Sequence, residues 1–301
     1  MCGIVAYIGH QESCPILLKG LKRLEYRGYD SAGIALLGED LKVYKKAGKV
    51  SDLASFIADK DRTGHVGIGH TRWATHGAPN DANAHPQLAA SGKLAIVHNG
   101  IIENYNTLKQ DLLQKGYTFQ SDTDTEVLAH FIEDVQQRHQ CTLEEAVRLA
   151  LTKIIGAYAL VILSQDLPNT LIAARKGSPM VIGIGKEEYF IASDATPIVE
   201  YTDQVVFIND HEIAVIQDNQ LSMTTMTDIP LTPAIQKLDI TLEAIEKGNF
   251  EHFMLKEIFE QPKAIRDCMR GRLDTDNQRI VLGGISDYID RLSKAPKITI
   301  V

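Results

Sequence analysis

The sequence predicts an α+β fold in which antiparallel strands form two facing sheets and helices cover the outer faces. In residues 157–217, short apolar runs recur about every eight to twelve residues, a spacing typical of hairpins and meanders. These strand runs are grouped apart from the helical stretches, which favours α+β over an alternating α/β arrangement. The 301 residues, 44% of them apolar, suffice to bury a large core without disulfides or metals.

The first third of the chain is predicted to begin with a strand over Gly3–Gly9, followed by a helix that stops at Gly28. Pro15 suits the first turn of that helix. Its apolar face is formed by residues at three- and four-residue spacing, namely Leu17, Leu18, Leu21 and Leu24. The strands that follow are predicted over Ser31–Leu37, Lys42–Lys46, Val66–His70 and Leu94–His98.

Three helices are predicted next, over Asn104–Lys115, over Thr125–Arg138 and from Thr142 to about Lys153. Thr142, with Glu145 three residues later, has the form of a capping box. The later strands are predicted over Ala157–Ser164, Thr170–Lys176, Met180–Gly185, Tyr189–Ser193 and Glu212–Gln217.

The composition changes after Gln217, where the sequence turns polar and irregular to about Leu238. We therefore expect one domain over residues 2–217 and a linker with an interdomain segment over residues 218–284. A helix is predicted over Lys263–Arg272, after Pro262. The final run, Lys297–Val301, resembles a strand, and we interpret residues 285–301 as the start of a further domain.

Composition and charge exclude several classes of protein. With 31 basic and 39 acidic residues the net charge is −8, which disfavours nucleic acid and anionic lipid as partners. The longest nearly unbroken apolar stretch, Ile154–Leu163, is about half of the roughly 20 residues that span a bilayer. The amino terminus has no basic region before an apolar core, so we expect a cytoplasmic protein without a signal peptide.

The four cysteines form no Cys-x-x-Cys pair, which fits a reducing compartment. They are Cys2, Cys14, Cys141 and Cys268. Removal of Met1 would place the thiol and the α-amine of Cys2 on one residue, and the amine, with a pKa near 7.7–8.0, could then accept the thiol proton. The alternative is a small apolar residue at the start of a buried strand.

Four sequence strings carry a resemblance to a known family. They are CGIV at 2–5, EYRGYDSAGIA at 25–35, HTRWATHG at 70–77 and VHNGIIEN at 97–104. They resemble the glutaminase domain of the glutamine:fructose-6-phosphate amidotransferase family. The members of this family are class II glutamine amidotransferases. The match extends to about Gln217, and Gly248–Pro262 is similar to that family's interdomain segment. The resemblance implies the four-layer αββα sandwich of N-terminal-nucleophile hydrolases.

The resemblance implies that Cys2 attacks the side-chain amide of glutamine, giving a glutamyl thioester and ammonia before water releases glutamate. Arg72 matches the residue that holds the α-carboxylate, for which its planar fork of donors is suited. Asp124 matches the residue that holds the α-ammonium. Asp122 stays open as the alternative ligand, and Asp122, Thr123 or Asp124 could instead cap the helix near Thr125.

Asn99 and Gly100 match the family's oxyanion-binding pair. A strand that ends in Asn-Gly exposes one side-chain amide and one unobstructed backbone N–H, two donors that can stabilise negative charge on an amide oxygen. The alternative is an ordinary Asn-Gly turn between two strands.

Further residues match positions around the glutamine site in the family. The resemblance implies that Trp73 lies on a loop over the site and that Thr75 and His76 line the pocket. Arg27 and Gly28 are expected to shape the wall near the nucleophile. A packing role is the alternative for Arg27 and Gly28, and a core or interface position is the alternative for Trp73. His76 is assigned to binding or structure and not to general base chemistry.

The sequence predicts no metal and no cofactor. Five histidines, namely His65, His70, His76, His85 and His98, lack the spacing and the paired Cys or carboxylate partners of a zinc site. The implied partners are L-glutamine, fructose 6-phosphate through an isomerase domain, and a second copy of the full-length protein in a homodimer. Two alternatives stay open: a class II amidotransferase with another acceptor, and a catalytically silent glutamine-binding or assembly module.

Overall fold

A computed structural model describes residues 2–74, 77–238, 250–269, 273–274, 279–280 and 289–297. The predicted pocket residues Thr75 and His76 lie outside these ranges. The chain divides into two compact units, Met1–Ile240 and Thr241–Val301.

The first unit is built on two antiparallel sheets. Its strands, in chain order, are β1 (Gly3–Ile8), β2 (Ser31–Leu37), β3 (Leu41–Ala47), β4 (Val66–Arg72), β5 (Gln87–Leu88), β6 (Leu94–Ile102), β7 (Gly156–Ser164), β8 (Thr170–Lys176), β9 (Val181–Ile184), β10 (Tyr189–Ala192), β11 (Gln204–Phe207), β12 (Glu212–Gln217), β13 (Gln220–Thr225), β14 (Pro230–Leu231) and β15 (Gln236–Lys237). One sheet has eight strands in the order β15-β11-β9-β10-β1-β4-β2-β3. The other has seven in the order β14-β13-β12-β8-β7-β6-β5.

Helices cover the outer faces of both sheets. They are α1 (Ser13–Leu24), α2 (Val50–Phe56), α3 (Tyr105–Gln114), α4 (Asp124–His139) and α5 (Leu143–Leu151). Side chains of α1 and α2 pack on the eight-stranded sheet, whereas those of α3, α4 and α5 pack on the seven-stranded sheet. A third apolar cluster lies between the two sheets. The predicted α+β class and the αββα order of layers are therefore confirmed.

The alternation of side chains along β1 shows why this strand lies at the centre of the fold. Ile4, Ala6 and Ile8 enter the core between the sheets, while Val5 and Tyr7 enter the core beneath the helices. Successive side chains of a strand point to opposite faces, so an apolar residue at every position requires both faces to be covered. Cys2 directly precedes this strand and is carried to one end of the sheet sandwich.

The structure shows the N-caps of two predicted helices. Thr142 is the N-cap of α5 and its side chain accepts a hydrogen bond from the Glu145 N–H at 3.2 Å. Thr123 is the N-cap of α4, and its hydroxyl accepts from the Glu126 N–H at 3.3 Å. Of the three residues that could have capped α4, Thr123 is therefore the N-cap. Asp122 precedes the N-cap, and Asp124 is already inside the helix.

One strand runs further than predicted. β6 continues past His98 to Ile102, so the Asn-Gly pair lies within a strand and the turn alternative is wrong. Gly100 adopts φ +135°, and a Cβ there would lie 2.0 Å from the Ala157 carbonyl oxygen of the paired strand. Only glycine fits this close approach of two backbones.

The first unit also continues beyond Gln217, where the sequence analysis ends the domain. β12 and β13 form a hairpin whose turn residues, Asp218 and Asn219, both have positive φ (48° and 61°). Such a turn matches the twist of the strands it joins. The domain division at residue 218 and the further domain from residue 285 stay predictions.

The second unit contains α6 (Phe253–Met269), β16 (Leu273–Asp274), β17 (Arg279–Ile280) and α7 (Ile289–Ser293). The helix predicted from Lys263 instead begins at Phe253 and runs through Pro262, so that predicted start is wrong. Most of the strand-like run at residues 297–301 lies outside the described residues. Within the described ranges, every helix is too short or too polar to cross a lipid bilayer.

Candidate active site

A cavity of about 270 Å³ opens beside Cys2, at the end of the sheet sandwich reached by β1, β4 and β6. This volume lies near the small end of the roughly 300–1,000 Å³ of typical ligand pockets, which suits a compact ligand such as an amino acid. The lining residues are Cys2, Arg27, Arg72, Trp73, His85, His98, Asn99, Gly100, Ile101, Thr123, Asp124, Thr125, Ser178 and Pro179.

The sulfur of Cys2 is held against the backbone of Trp73, at the end of β4. The Trp73 N–H donates to Cys2 Sγ at 3.2 Å, and the thiol donates to the Trp73 carbonyl at 3.6 Å. Burial raises the pKa of the Cys2 thiol, while the Trp73 N–H and the positive charge of Arg72 oppose that rise. The thiol is therefore mostly protonated near pH 7, and chemistry at this sulfur needs a base.

Asn99 reaches across from the other sheet to the same point. Its side chain is 7% exposed, and its Nδ2 donates to the Cys2 carbonyl oxygen at 3.0 Å. The Oδ1 atom lies 3.0 Å from His70 Nε2. The amide nitrogen, a donor, therefore faces the cysteine, and the next residue, Gly100, also lines the cavity.

Arg72, the last residue of β4, supplies a buried positive charge beside the cysteine. It is 3% exposed, and its Nη1 and Nη2 atoms each donate to a loop carbonyl, those of Ala78 and Gly77, at 3.3 Å. These contacts orient the guanidinium in the cavity wall. Burial lowers the pKa of Arg72, and the charges of Cys2, Asp124 and Asp30 oppose this effect, so the group stays cationic.

Asp124 and Asp122, the two candidate acids, differ in their surroundings. Asp124 lines the cavity, is 6% exposed, and accepts a hydrogen bond from the Ile102 N–H at 2.8 Å. Asp122 is held by Asn83, which donates to its carboxylate at 3.1 Å and accepts from its backbone N–H at 2.8 Å. The structure therefore brings Asp124 to the cavity, whereas Asp122 fastens a neighbouring loop.

Of the remaining predicted residues, Trp73 and Arg27 line the cavity, whereas Gly28 does not line it and lies against the Arg72–Trp73 backbone. Trp73 is 47% exposed and packs edge-on against the Tyr29 ring at 5.7 Å. Arg27 donates to the Ser193 carbonyl at 3.2 Å. A Cβ on Gly28 would lie 2.7 Å from the Arg72 carbonyl carbon, so the absence of a side chain allows this close approach.

The fold brings to the site several residues that the sequence did not predict there. Ser178 and Pro179 line the cavity, and the Asp30 carboxylate accepts from the Ala74 N–H at 2.8 Å, which fastens the chain after Trp73. The contacts of Asp30 and His70 span more than 25 residues of sequence, so no local pattern reveals them; the string at 25–35 contains Asp30 but gives it no role. Among the residues that the structure describes, no group of three or more His, Cys, Asp or Glu side chains could hold a metal ion.

Comparisons with known proteins show which family the chain resembles. The profile of the glutamine amidotransferase domain family matches residues 52–246. A glutamine–fructose-6-phosphate aminotransferase (isomerizing) of Bacteroides thetaiotaomicron is 55% identical, over 100% of this chain and 50% of that protein. Its counterpart from Chlorobaculum tepidum is 52% identical, again over 100% of this chain and 50% of that protein. The chain thus spans about half the length of the curated relatives it matches.

The structural comparison gives the same class of fold. A glutamine phosphoribosylpyrophosphate amidotransferase from B. subtilis, solved with ADP and GMP, superposes with a TM-score of 0.65 at 29% identity, over 75% of this chain and 49% of that one. A glutamine aminotransferase class-II domain protein from Silicibacter pomeroyi has a TM-score of 0.52 at 17% identity, over 75% of this chain and 99% of that one, a likeness of fold alone.

Proposed function

The chain belongs to the glutamine amidotransferase domain family, and from that premise we propose that it is the glutaminase half of an enzyme that converts fructose 6-phosphate to glucosamine 6-phosphate. One observation carries the proposal. The Cys2 sulfur lies at a cavity that also presents a buried cation, Arg72, a buried acid, Asp124, and an amide donor, Asn99. These are the groups needed to hold the two charges of an amino acid and to attack its side-chain amide.

The first chemical step is activation of the nucleophile. Because burial raises the pKa of the Cys2 thiol, a base must take its proton. Once Met1 is removed, the α-amine of Cys2 titrates near 7.7–8.0 and can accept that proton directly or through a water. The sulfur then attacks the side-chain carbonyl carbon of glutamine, and the carbonyl π electrons move to its oxygen.

The second step is collapse of the tetrahedral intermediate. Asn99 Nδ2 and the Gly100 N–H are the proposed donors to the oxyanion, each worth roughly 10² to 10³ in rate. The protonated α-amine of Cys2 gives its proton to the leaving nitrogen of the glutamine side chain. Ammonia departs, and a glutamyl thioester remains on Cys2. Water, deprotonated by the same amine, then attacks the thioester and releases glutamate with regeneration of the thiol.

The proposed acceptor is fructose 6-phosphate. The relatives at 55% and 52% identity are named for that acceptor, whereas the phosphoribosylpyrophosphate amidotransferase is 29% identical. In the full-length protein, ammonia would pass to an isomerase domain, and a homodimer is proposed for that protein. A cytoplasmic location is proposed because a reducing compartment keeps the Cys2 thiol nucleophilic.

We expect the 301-residue chain to release glutamate from glutamine and to form no glucosamine 6-phosphate when fructose 6-phosphate is added. The chain spans about half the length of the relatives named for the complete reaction. Glutamate and amino sugar are measured in the same reaction. Formation of the amino sugar would contradict the proposal that this chain carries only the glutaminase activity. Absence of glutamate would favour a silent binding module.

Recognition of the amino-acid head group gives a second expectation. Asp124→Asn and Arg72→Lys should each raise KM for glutamine about 10- to 100-fold, because each weakens a charge-assisted contact in a buried site. Asp122→Asn is the matched control, since the new side-chain oxygen can still accept from Asn83. A larger KM effect for Asp122→Asn than for Asp124→Asn would contradict the assignment of Asp124. Initial rates over a range of glutamine concentrations measure both.

A further inference from the structure

A buried histidine lies directly behind the Asn99 amide. His70, on β4, is 1% exposed, and its Nε2 atom lies 3.0 Å from Asn99 Oδ1 and 3.1 Å from the backbone carbonyl oxygen of His98. In the sequence, this residue ends a predicted strand, begins the string at 70–77 and is one of five histidines of a rejected zinc site, and none of these gives it a role at Cys2. Its contact with Asn99 joins the two sheets at the level of Cys2.

The position of the His70 proton follows from these contacts. A backbone carbonyl oxygen can only accept, so the ring nitrogen that faces the His98 carbonyl must carry the hydrogen. His70 Nδ1 has no hydrogen-bond partner among the described residues, so a proton there would be left unpaired. Both observations place the proton on Nε2.

That proton in turn fixes the orientation of the Asn99 amide. Since Nε2–H donates, the atom of Asn99 that faces it must be the oxygen, and Nδ2 must point the opposite way, toward Cys2. A flipped amide would place its NH₂ group against the His70 N–H and its oxygen against the Cys2 carbonyl oxygen, which Nδ2 now contacts at 3.0 Å. Two favourable contacts would become two repulsive ones.

The surroundings keep the His70 ring neutral and in place. Burial lowers the pKa of His70 to about 3, and burial also lowers the pKa values of its neighbours His85 and His98. The His85 ring stacks on His70 with centroids 4.4 Å apart. The Thr125 hydroxyl lies 2.7 Å from His85 Nε2 and 3.0 Å from His98 Nδ1, which ties the cluster to α4. A neutral ring of this kind orients a neighbour and does not supply a proton to the reaction.

We propose that His70 is a positioning residue for the oxyanion site, and that its Nε2–H holds the Asn99 amide with the nitrogen directed at the reacting carbonyl of glutamine. The proposal rests on the proposed function, in which Asn99 stabilises the oxyanion. His70 does not line the cavity, and its side-chain hydrogen bond toward the oxyanion site is made to Asn99, so the proposal expects the effect of His70 on kcat to pass through Asn99. This dependence separates a positioning role from a general packing role.

The decisive experiment is a double-mutant cycle on the 301-residue chain. His70→Leu should lower kcat for glutamate release about 10²-fold, the scale of one oxyanion donor, with KM for glutamine changed less than about threefold. When Asn99 is already alanine, adding His70→Leu should change kcat by less than about threefold, because residues that act as a unit are non-additive. Effects that multiply in the double variant would overturn the proposal.

Two further variants separate positioning from stability. His70→Gln places an amide N–H where Nε2–H was, so it should recover at least about tenfold of the kcat lost in His70→Leu. His130→Leu is the matched control, because His130 is likewise buried (3% exposed) and its Nδ1 has no hydrogen-bond partner among the described residues. It lies in α4, with its Nε2 against the Thr118 carbonyl oxygen. This variant should lower the thermal midpoint while leaving kcat within about threefold. A kcat loss in His130→Leu equal to that of His70→Leu, or no rescue by His70→Gln, would count against the proposal.

The tautomer of His70 can also be measured directly on the wild-type chain. Nitrogen NMR of chain labelled at histidine should show His70 as the Nε2–H tautomer at neutral pH, and an Nδ1–H tautomer would overturn the proposal even if His70→Leu fails to fold. A wild-type chain that releases no glutamate would instead contradict the proposed function. If the wild-type chain is active but the effects of His70→Leu and Asn99→Ala on kcat multiply, only the role proposed for His70 is wrong.

Discussion

Replacement of Cys2 by alanine will abolish glutamate release, with kcat lowered by at least about 10⁴-fold, because the reaction loses the atom that forms the covalent bond. Cys2→Ser will also lose most activity even though it preserves the shape of the side chain. A hydroxyl is far less acidic than a thiol, so an α-amine with a pKa near 8 is a poor base for it. Glutamate production by purified chain measures both effects.

Two other cysteines, Cys14 and Cys141, serve as controls for this prediction. Cys14 is buried in α1 and Cys141 is half-buried between α4 and α5, and neither lines the cavity. Cys14→Ala and Cys141→Ala should therefore keep kcat within about threefold, although loss of a buried sulfur lowers stability slightly. Glutamate release by Cys2→Ala at the rate of these controls would show that another group performs the attack.

Replacement of Asn99 by alanine will lower kcat by about 10²- to 10³-fold and leave KM for glutamine nearly unchanged, since the lost hydrogen bond forms fully only in the transition state. Asn99→Asp will be at least as damaging, because a carboxylate would repel the developing oxyanion. Steady-state rates at saturating and limiting glutamine separate kcat from KM.

A surface asparagine of the same sheet provides the control. Asn169, exposed in the loop between β7 and β8, lies at the opposite end of the β6–β7 pair from Asn99, and Asn169→Ala should keep the wild-type kcat. An Asn99→Ala variant that raises KM without lowering kcat would mean that Asn99 holds the ground state of the substrate. The oxyanion assignment would then be wrong.

Local sequence patterns predicted much of the fold. The alternating or continuous apolar runs gave β1, β2, β7 and β8 nearly to the residue, because both faces of these strands are buried. The caps at Thr142 and near Thr125 gave the starts of α5 and α4. Each signal is contained within a few residues of sequence.

Elements set by distant contacts could not be predicted in this way. Asn99-Gly100 is a strong turn signal in isolation, yet pairing with β7 keeps both residues in β6. β13 is a polar strand that pairs with β12, and its Asp218-Asn219 turn is a weaker signal than Asn-Gly. Pro262 indicates a helix start, whereas α6 begins nine residues earlier, at Phe253.

In the candidate site, too, local sequence patterns predict some residues, while others depend on distant contacts. The strings at 2–5, 70–77 and 97–104 contain Cys2, Arg72 and Asn99, all of which the fold brings to one cavity. The strings do not tell what His70 contacts, since its partner Asn99 lies 29 residues away on the facing sheet. The orienting contacts behind a site depend on how the sheets stack, which short patterns do not encode.

In the proposed mechanism, the thiol and the α-amine of residue 2 act together once Met1 is removed. Intact-mass spectrometry before and after exposure to a diazoketone analogue of glutamine tests it directly. We expect a starting mass that lacks Met1, a gain of one adduct that peptide mapping assigns to Cys2, and slower labelling when glutamine is present. A chain that retains Met1, or that gains its adduct elsewhere or not at all, would show that this mechanism is wrong.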